Sequence, residues 1–238
     1  MAGVRLRKAR SRFTGVLLST RLATHRPEPY TASMPRPNAP GWLVVLEGID
    51  GAGKSTVLHR LAELCATRGI PHVTSSEPTR GPWGMKLRES MTAGRHDLRE
   101  ELDLFLKDRR EHVETVIQPA LDEGKVVLLD RYYLSTAAYQ GARGAEPYWI
   151  MAENEKFAPR PDLVLLLDFD PAAGLERVRA RGDDPNTFEQ LDELQEVRRI
   201  FLGINRPYIR RVSAARSAEA VWEDCLELFD ALIASEQT

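Results

Sequence analysis

Short apolar runs alternate with stretches of helical periodicity along most of this chain. The runs at 43–47, 72–75, 126–129 and 163–168 have the length and composition of buried strands, and a weaker fifth run covers 211–214. The alternation predicts an α/β domain with a parallel sheet of about five strands and helices on both faces. Because ligands of such sheets bind at the carboxyl ends of the strands, the residues that follow each run are the candidates for function.

The helical stretches have apolar residues on one face. They cover Ser55 to Arg68, Arg99 to Ile117, the segment between Pro171 and Gly182, and Ala218 to Ala234. The last of these is predicted to close the domain.

Composition narrows the class of protein. The chain has 238 residues, 42% of them hydrophobic and 29% charged, which suits one α/β domain with an insertion. No stretch approaches the roughly 18 apolar residues of a membrane span, so we expect no membrane partner. The two cysteines, Cys65 and Cys225, lie in helical patterns. They predict packed or surface thiols in a reducing, cytoplasmic compartment.

Charge separates the first 40 residues from the rest. Residues 1–40 carry eight basic side chains and one acidic one, +7, which leaves −9 on residues 41–238. An acidic domain argues against a nucleic-acid partner. The basic leader is a transit peptide, a disordered tail or sequence upstream of the true start. We prefer the third, because Met34 lies nine residues before the first strand in a proline-rich segment.

A phosphate-binding motif follows the first strand. Residues 48–55 read GIDGAGKS, the pattern G-x-x-x-x-G-K-[ST]. In it, glycines turn the backbone N–H groups inward, Lys54 reaches the outer phosphates and the Ser55 hydroxyl holds magnesium. The motif predicts a three-layer P-loop NTPase fold that binds ATP. The predicted phosphate-binding residues are Gly48, Ile49, Asp50, Gly51, Ala52, Gly53, Lys54, Ser55 and Thr56.

A second polar cluster follows the third strand, in DRYYLSTAAYQG at 130–141. Helical continuation puts Arg131, Ser135 and Tyr139 on one face. This arrangement predicts a socket for a small phosphorylated molecule, with a surface ion pair as the alternative.

Arg109 occupies the apolar stripe of the 99–117 helix, where a guanidinium needs a partner. Phe105, one turn earlier on the same face, adds an aromatic plane, and the pair would suit a nucleobase. The alternatives are a core phenylalanine and an arginine paired with a structural carboxylate. The turn-rich loop that begins at Glu77-Pro78 is a further candidate, or simply a proline-fixed connection.

Arginines end the helix before Gly182. Arg177, Arg179 and Arg181 either complement the helix dipole or belong to a lid, near 177–190, that closes over the transferring phosphates.

The motifs favour phosphoryl transfer to a phosphate. ATPases usually carry a glutamate after the strand-end aspartate, whereas Asp130 is followed by Arg131 and Asp168 by Phe169. Residues 154–157 do not form the N-K-x-D guanine reader. A phosphate acceptor is already an anion and needs no general base. Catalysis then requires alignment and charge neutralisation by Lys54, Arg131, the lid arginines and magnesium.

From about Trp42 to Ala234 the chain resembles the thymidylate kinase family. The resemblance rests on LEGIDGAGKST, the Glu77-Pro78 loop, Phe105 with Arg109, DRYYLSTAAYQG and the arginine-rich helix before Gly182. It implies transfer of phosphate from ATP to dTMP, a magnesium cofactor and a homodimer.

The resemblance also implies a role for each site residue. Asp50 would meet the deoxyribose 3′-hydroxyl, Glu77 would shape the same pocket, Phe105 would stack on thymine and Arg109 would bind its carbonyl edge. Arg131 would hold the acceptor phosphate. The base and sugar pocket would be lined by Ser135, Thr136, Tyr139 and Gln140, with Tyr139 disfavouring a 2′-hydroxyl. Ser55 and Asp130 are the predicted magnesium ligands, directly or through water.

The chain departs from the family pattern in two places. The phosphate loop has Gly51-Ala52 and therefore no arginine. The lid segment has Pro185-Asn186-Thr187 instead of an Asp-Arg step. The catalytic positive charge would therefore come from Arg177, Arg179 or Arg181. Ser76 replaces the arginine before Glu77-Pro78, with Arg80 as a candidate substitute. Two alternatives stay open: a deoxynucleoside kinase with Glu77 as base, and a catalytically impaired nucleotide-binding paralogue.

Overall fold

The structure is a computed structural model that describes residues 41–180 and 191–234, except for the side chains of Thr92 and Ala93. The predicted leader and the part of the predicted lid at 181–190 lie outside these ranges. Five strands lie within them: β1 (Trp42–Glu47), β2 (His72–Ser76), β3 (Val126–Asp130), β4 (Leu163–Asp168) and β5 (Ile209–Ser213).

The five strands form one parallel sheet in the order β2-β3-β1-β4-β5. β1 is central, with Val44 opposite Leu128 of β3 on one side and Leu163 of β4 on the other. The predicted parallel sheet is confirmed. The weak strand predicted at 211–214 begins earlier, at Ile209, which pairs with Val164 at the edge of the sheet.

Helices connect the strands and cover the sheet. They are α1 (Lys54–Thr67), α2 (Pro82–Ala93), α3 (Leu98–His112), α4 (Gln118–Asp122), α5 (Tyr133–Ala142), α6 (Pro147–Asn154), α7 (Pro171–Ala180), α8 (Leu191–Gly203) and α9 (Ala218–Ala234). The step from β1 to β2 runs opposite to all later steps across the sheet. Because such crossovers are right-handed, α1 lies on one face, where α9 joins it, and the helices between β2 and β5 lie on the other.

The helix predicted at 99–117 is not a single α-helix. The α3 helix begins after Asp97, whose carboxylate accepts the N–H groups of Arg99 and Glu100, and a π-helical turn, Val113–Ile117, joins it to α4. Pro119 has no N–H to donate to the carbonyl of Thr115, and its ring crowds that carbonyl, so a wider turn is favoured here.

The core lies around the three central strands. Their apolar residues are almost fully buried, as expected for strands covered on both faces. Cys65 and Cys225 are free thiols in this core, so the packed alternative is correct for both. Burial raises the pKa of Cys65 and raises that of Cys225 to about 12. None of the helices in the described ranges is long and apolar enough to cross a membrane.

Candidate active site

The carboxyl ends of β1, β2 and β3 open into a cavity of about 420 Å³, a size typical of small-ligand sites. Residues that the sequence places far apart meet here. The predicted residues that line the cavity are Asp50, Gly51, Gly53, Lys54, Ser55, Thr56, Glu77, Phe105, Arg109, Asp130, Arg131, Ser135, Thr136, Tyr139 and Gln140.

The other predicted residues lie around this cavity or outside the described residues. Gly48, Ile49 and Ala52 are part of the phosphate loop but do not line the cavity. Arg177 and Arg179 are exposed on α7, and Arg181 lies outside the described ranges.

The phosphate loop requires glycine at specific positions. Gly53 caps α1 in the left-handed region, at φ 99°. Gly51 has φ +80°, and a Cβ there would lie 2.5 Å from the carbonyl oxygen of Gly174 in α7. A side chain at Gly51 would therefore force α7 away from the loop. This close packing puts the Arg177 guanidinium 3.1 Å from the Gly51 carbonyl oxygen and 3.9 Å from the centre of the Phe169 ring.

Lys54 is a buried cation at the loop end of the cavity. Its Nζ donates to the Ile49 carbonyl at 3.0 Å and to Asp50 Oδ1 at 3.2 Å. Burial, followed by the charge of Arg131, lowers the pKa of Lys54, while Asp50 and Asp130 oppose that shift. Lys54 and Arg131 therefore repel each other within the same cavity, and an anionic ligand bound between them would relieve this repulsion.

Ser55 and Asp130 suit a magnesium ion. The Ser55 hydroxyl donates to Asp130 Oδ2 at 3.0 Å, and Asp130 Oδ1 is buried with no hydrogen-bond partner among the described residues. Magnesium prefers oxygen ligands and is usually held by one or two carboxylates together with waters and substrate phosphates. The same ranges contain no cluster of three or more His, Cys, Asp or Glu side chains that would form a complete cage.

Arg131 lies at a sharp corner between β3 and α5. It is a non-glycine residue with positive φ, 71°, which is uncommon and marks a strained backbone. Its side chain donates to Asp50 Oδ1 at 2.5 Å and to Ser135 Oγ at 3.0 Å, and lies over the Tyr139 ring. We call Arg131 with Asp50, Ser135 and Tyr139 the acceptor seat. Burial alone would lower the pKa of Arg131, but Tyr139, Asp50, Asp130 and Glu47 raise it well above its usual range.

Arg109 has the structural partner that was one of its two predicted alternatives. Only 1% of its side chain is exposed, and it pairs with Glu77 at 2.7 Å. It also donates to Asn154 Oδ1 at 2.6 Å and to Thr136 Oγ1 at 3.0 Å, while still lining the cavity. Phe105 lines the same part of the cavity and is half-buried. The structure therefore combines both interpretations: Arg109 is anchored by a carboxylate and also faces a potential ligand.

We predict that Arg109→Ala lowers the free energy of unfolding by about 3–5 kcal/mol, because it leaves the Glu77 carboxylate buried without its main partner. Thermal or urea unfolding measures the effect. The matched control is Arg110→Ala, the exposed neighbour that stacks on Phe157 at 4.3 Å, with an expected loss of about 1 kcal/mol or less. An Arg109→Ala protein as stable as the Arg110→Ala protein would contradict this account of the pair.

Besides Asp130, the cavity wall has polar groups on Gln140 and Tyr132 without a hydrogen-bond partner among the described residues. Both amide atoms of Gln140 and the Tyr132 hydroxyl lack hydrogen-bond partners within the part of the chain that is described. Gln140 is fully buried and lines the cavity. Because unpaired buried polar groups are rare, a ligand with both a donor and an acceptor is the simplest account of Gln140.

Several residues of the site were not found by sequence reasoning. Asn154 of α6 and His112 of α3 complete the Arg109–Glu77 network, the latter through His112 Nδ1 and Glu77 Oε1 at 3.0 Å. Arg88 lines the cavity and donates to the carbonyls of Pro78 and Thr79, whereas Arg80 is exposed and does not line it. Of these missed residues only His112 lies in a helix that the sequence predicted, so the sequence offered no comparable signal for Asn154 or Arg88.

Glu47 is the most unexpected residue of the site. It ends β1 and is fully buried, with a carboxylate that accepts the N–H groups of Tyr132 and Ser135 and the Ser135 hydroxyl. Burial raises its pKa from 4.5 to about 7, against the opposing effects of Ser135, Arg131 and Tyr132. Reasoning from the sequence treated it as the last residue of a strand.

The raised pKa predicts a pH dependence of stability. Between pH 4.5 and about 7 the folded protein retains a proton on Glu47 that the unfolded chain has released, so rising pH destabilises the fold. Glu47→Gln cannot titrate. From pH 5 to 7.5 the stability of the native protein relative to this variant should fall by on the order of 2 kcal/mol. Urea unfolding at both pH values tests this, and a pH-independent difference would contradict it.

A phosphate loop, a cationic seat facing it and a pocket for a flat polar group share one cavity at the carboxyl end of a parallel sheet. This arrangement defines a P-loop kinase that acts on a small phosphorylated acceptor. A family model described as thymidylate kinase matches residues 46–225. The chain belongs to the thymidylate kinase family.

Individual relatives agree with the family match. A thymidylate kinase of Xanthomonas campestris pv. campestris (strain B100) is 51% identical over 181 residues, which cover 76% of this chain and 79% of the relative. A thymidylate kinase of Xanthomonas oryzae pv. oryzae (strain PXO99A) is 50% identical over 181 residues, again 76% of this chain and 79% of the relative. One of Xylella fastidiosa (strain M12) is 48% identical over 188 residues, 79% of this chain and 86% of the relative.

Proposed function

We propose that this protein transfers the γ-phosphoryl group of ATP to dTMP, giving ADP and dTDP. The observation that carries the proposal is the single cavity in which the phosphate loop and the acceptor seat face each other. Family membership and relatives named thymidylate kinase, about 50% identical, support the same activity.

The donor phosphates would bind the loop. Backbone N–H groups at the start of α1 and the Lys54 ammonium are the groups that a triphosphate needs there. Ser55 and Asp130 would hold magnesium, which neutralises charge on the donor phosphates when bound. Asp130 Oδ1 supports this assignment, because it is buried and has no hydrogen-bond partner within 41–180 and 191–234.

The acceptor phosphate would bind Arg131. Its guanidinium already contacts Asp50, Ser135 and the Tyr139 hydroxyl, and a guanidinium is the side-chain group that suits bidentate recognition of a phosphate. The acceptor oxygen is an anion, so the chain needs to align it and screen its charge rather than remove a proton. Asp50 lies between Lys54 and Arg131, where a deoxyribose hydroxyl would find an acceptor. Tyr139 would lie under the sugar and disfavour a 2′-hydroxyl.

The base would lie between Phe105 and the polar groups opposite. Phe105 offers an aromatic face, and Arg109 and Thr136 offer donors held in place by their network. The Gln140 amide, which has no hydrogen-bond partner in the described part of the chain, would complement the adjacent carbonyl and N–H groups of thymine. Glu77 would act through Arg109, since its carboxylate is already engaged.

The positive charge with which the lid stabilises the transition state would come from Arg177, Arg179 or Arg181. Arg177 has the strongest support, because it already contacts the carbonyl of Gly51 in the phosphate loop.

The net negative charge of residues 41–238 and the free, buried thiols support a cytoplasmic enzyme without a nucleic-acid or membrane partner. We further propose a homodimer, for which light scattering should give the mass of two 26.8 kDa chains.

An ADP-release assay with dTMP, dUMP and thymidine in parallel tests the activity. We expect rapid ADP release with dTMP and stoichiometric formation of dTDP. Consumption of thymidine alone would indicate a deoxynucleoside kinase and would contradict the role of Arg131. Binding of ATP and dTMP without dTDP formation over hours would indicate an impaired paralogue.

A further inference from the structure

The Glu47 carboxylate spans the corner that carries Arg131. Its Oε1 accepts the backbone N–H groups of Tyr132 at 2.9 Å and Ser135 at 3.1 Å, which are at the start of α5. Its Oε2 accepts the Ser135 hydroxyl at 2.5 Å, a length typical of a charge-assisted bond. The two oxygens of one buried side chain thus hold both the backbone and a side chain of α5.

The corner itself has a backbone that must be held in place. Arg131 has φ 71°, and its N–H donates to the Leu46 carbonyl at 2.9 Å. The next residue, Tyr132, has its N–H bound by Glu47. Strained conformations of this kind persist where the surroundings fix them, and here the end of β1 does so from both sides of the strained residue.

Ser135 connects Glu47 to the Arg131 guanidinium. Its hydroxyl donates its single hydrogen to Glu47, so its oxygen is left as an acceptor towards Arg131 Nη1, at 3.0 Å. Without an acceptor at Glu47 the hydroxyl hydrogen is free to turn towards Arg131 and compete with that contact. Capping α5 requires only Oε1. The second oxygen therefore has a separate effect on the guanidinium.

We propose that Glu47 is a positioning residue of the acceptor seat, which orients Arg131 through the Ser135 hydroxyl and through the Arg131–Tyr132 backbone. The inference rests on the proposed function, because the ligand of Arg131 is taken to be the phosphate of dTMP. Glu47 does not line the cavity and acts only through these neighbours.

The test is Glu47→Gln in the full-length protein, assayed at about pH 8, where the carboxylate of the native protein is ionised because its pKa is about 7. Its amide oxygen still accepts the two backbone N–H groups, but its NH₂ group now faces Ser135 and cannot accept the hydroxyl hydrogen. We expect the KM for dTMP to rise about tenfold while the KM for ATP stays within about twofold, because the fork that holds the acceptor is misdirected. Equal changes in both constants would overturn the proposal.

The matched control is Glu101→Gln. Glu101 of α3 is equally buried, and its carboxylate contacts Arg143 rather than Arg131. Losing this buried carboxylate should lower the melting temperature without a selective change in the KM for dTMP. A selective change of the same size in Glu101→Gln would overturn the proposal, because the rise in the KM for dTMP would then be a general result of lost stability.

A double-mutant cycle tests the path through Ser135. In the Ser135→Ala background, the added Glu47→Gln change should alter the KM for dTMP by less than about twofold, whereas independent effects would multiply. If Glu47→Gln does not fold, Glu47→Asp replaces it in the native and Ser135→Ala backgrounds: a selective rise in the KM for dTMP only where Ser135 is present supports the link, and the same rise in both backgrounds overturns it. A native protein that does not phosphorylate dTMP would instead refute the proposed function, independently of these variants.

Discussion

Replacing Lys54 with alanine should lower kcat by about 10²- to 10³-fold and weaken ATP binding far less. The ammonium is buried, held by the Ile49 carbonyl and Asp50, and directed into the cavity at the start of α1. Its charge matters most when negative charge moves between donor and acceptor, because the backbone N–H groups of the loop already bind the ground-state phosphates. Steady-state kcat, with a separate measurement of the ATP dissociation constant, gives both quantities.

The matched control for Lys54 is Lys156→Ala. Lys156 pairs with Glu153 on the surface and does not line the cavity, so kcat should stay within about twofold. The Lys54 variant should remain folded, because burial and the charge of Arg131 already disfavour this ammonium, as its lowered pKa indicates. Equal losses of turnover and ATP affinity would count against a transition-state role.

Arg131→Ala should lower kcat/KM for dTMP by about 10²-fold or more and leave the KM for ATP nearly unchanged. The reason is the acceptor seat: the guanidinium is fixed by Asp50 and Ser135, and no other arginine has this position among the described lining residues. Kinetics with dTMP and ATP varied in turn measure the effect.

Arg131→Lys provides the matched comparison. Lysine retains the positive charge but lacks the planar guanidinium that binds a phosphate through two hydrogen bonds. Residue 131 has φ 71° in the native protein, and the backbone cost of this positive φ should be the same for lysine as for alanine. We expect activity between those of the alanine variant and the native protein. Any residual turnover of thymidine should not depend on residue 131, since thymidine has no phosphate. Unchanged kinetics with dTMP in both variants would refute the acceptor seat.

Local patterns were sufficient for the parallel sheet and for α1, α7 and α9, whereas α2, α6 and α8 were not predicted. The central strands were predictable because they are buried on both faces and are therefore apolar, whereas the edge strand β5 contains two consecutive arginines, Arg210 and Arg211, and its predicted position was shifted. The phosphate loop was predictable because its geometry depends on consecutive residues, as the positive φ angles of Gly51 and Gly53 illustrate. The π-helical turn was missed, since its cause, the missing N–H of Pro119, acts on a carbonyl one turn earlier.

The partners of the charged residues were not predictable in the same way. Arg109 was marked as unusual by its place in an apolar stripe, but its partners Glu77 and Asn154 lie 32 and 45 residues away along the chain. Glu47 gave no signal at all, because a glutamate at the end of a strand is common and its contacts are 85 and 88 residues distant. Such contacts depend on where the strands end in space.

By itself the sequence determined the sheet, the phosphate loop and the family, because each depends on periodicity or on a contiguous motif. Only the tertiary structure decided which buried charges meet, that Arg109 is anchored by Glu77, and that Glu47 holds the corner at Arg131. The physical reason is that a buried charge needs a partner, but any of many distant residues would satisfy that need. The parallel sheet selects the partner by bringing the ends of β1, β2 and β3 to one edge.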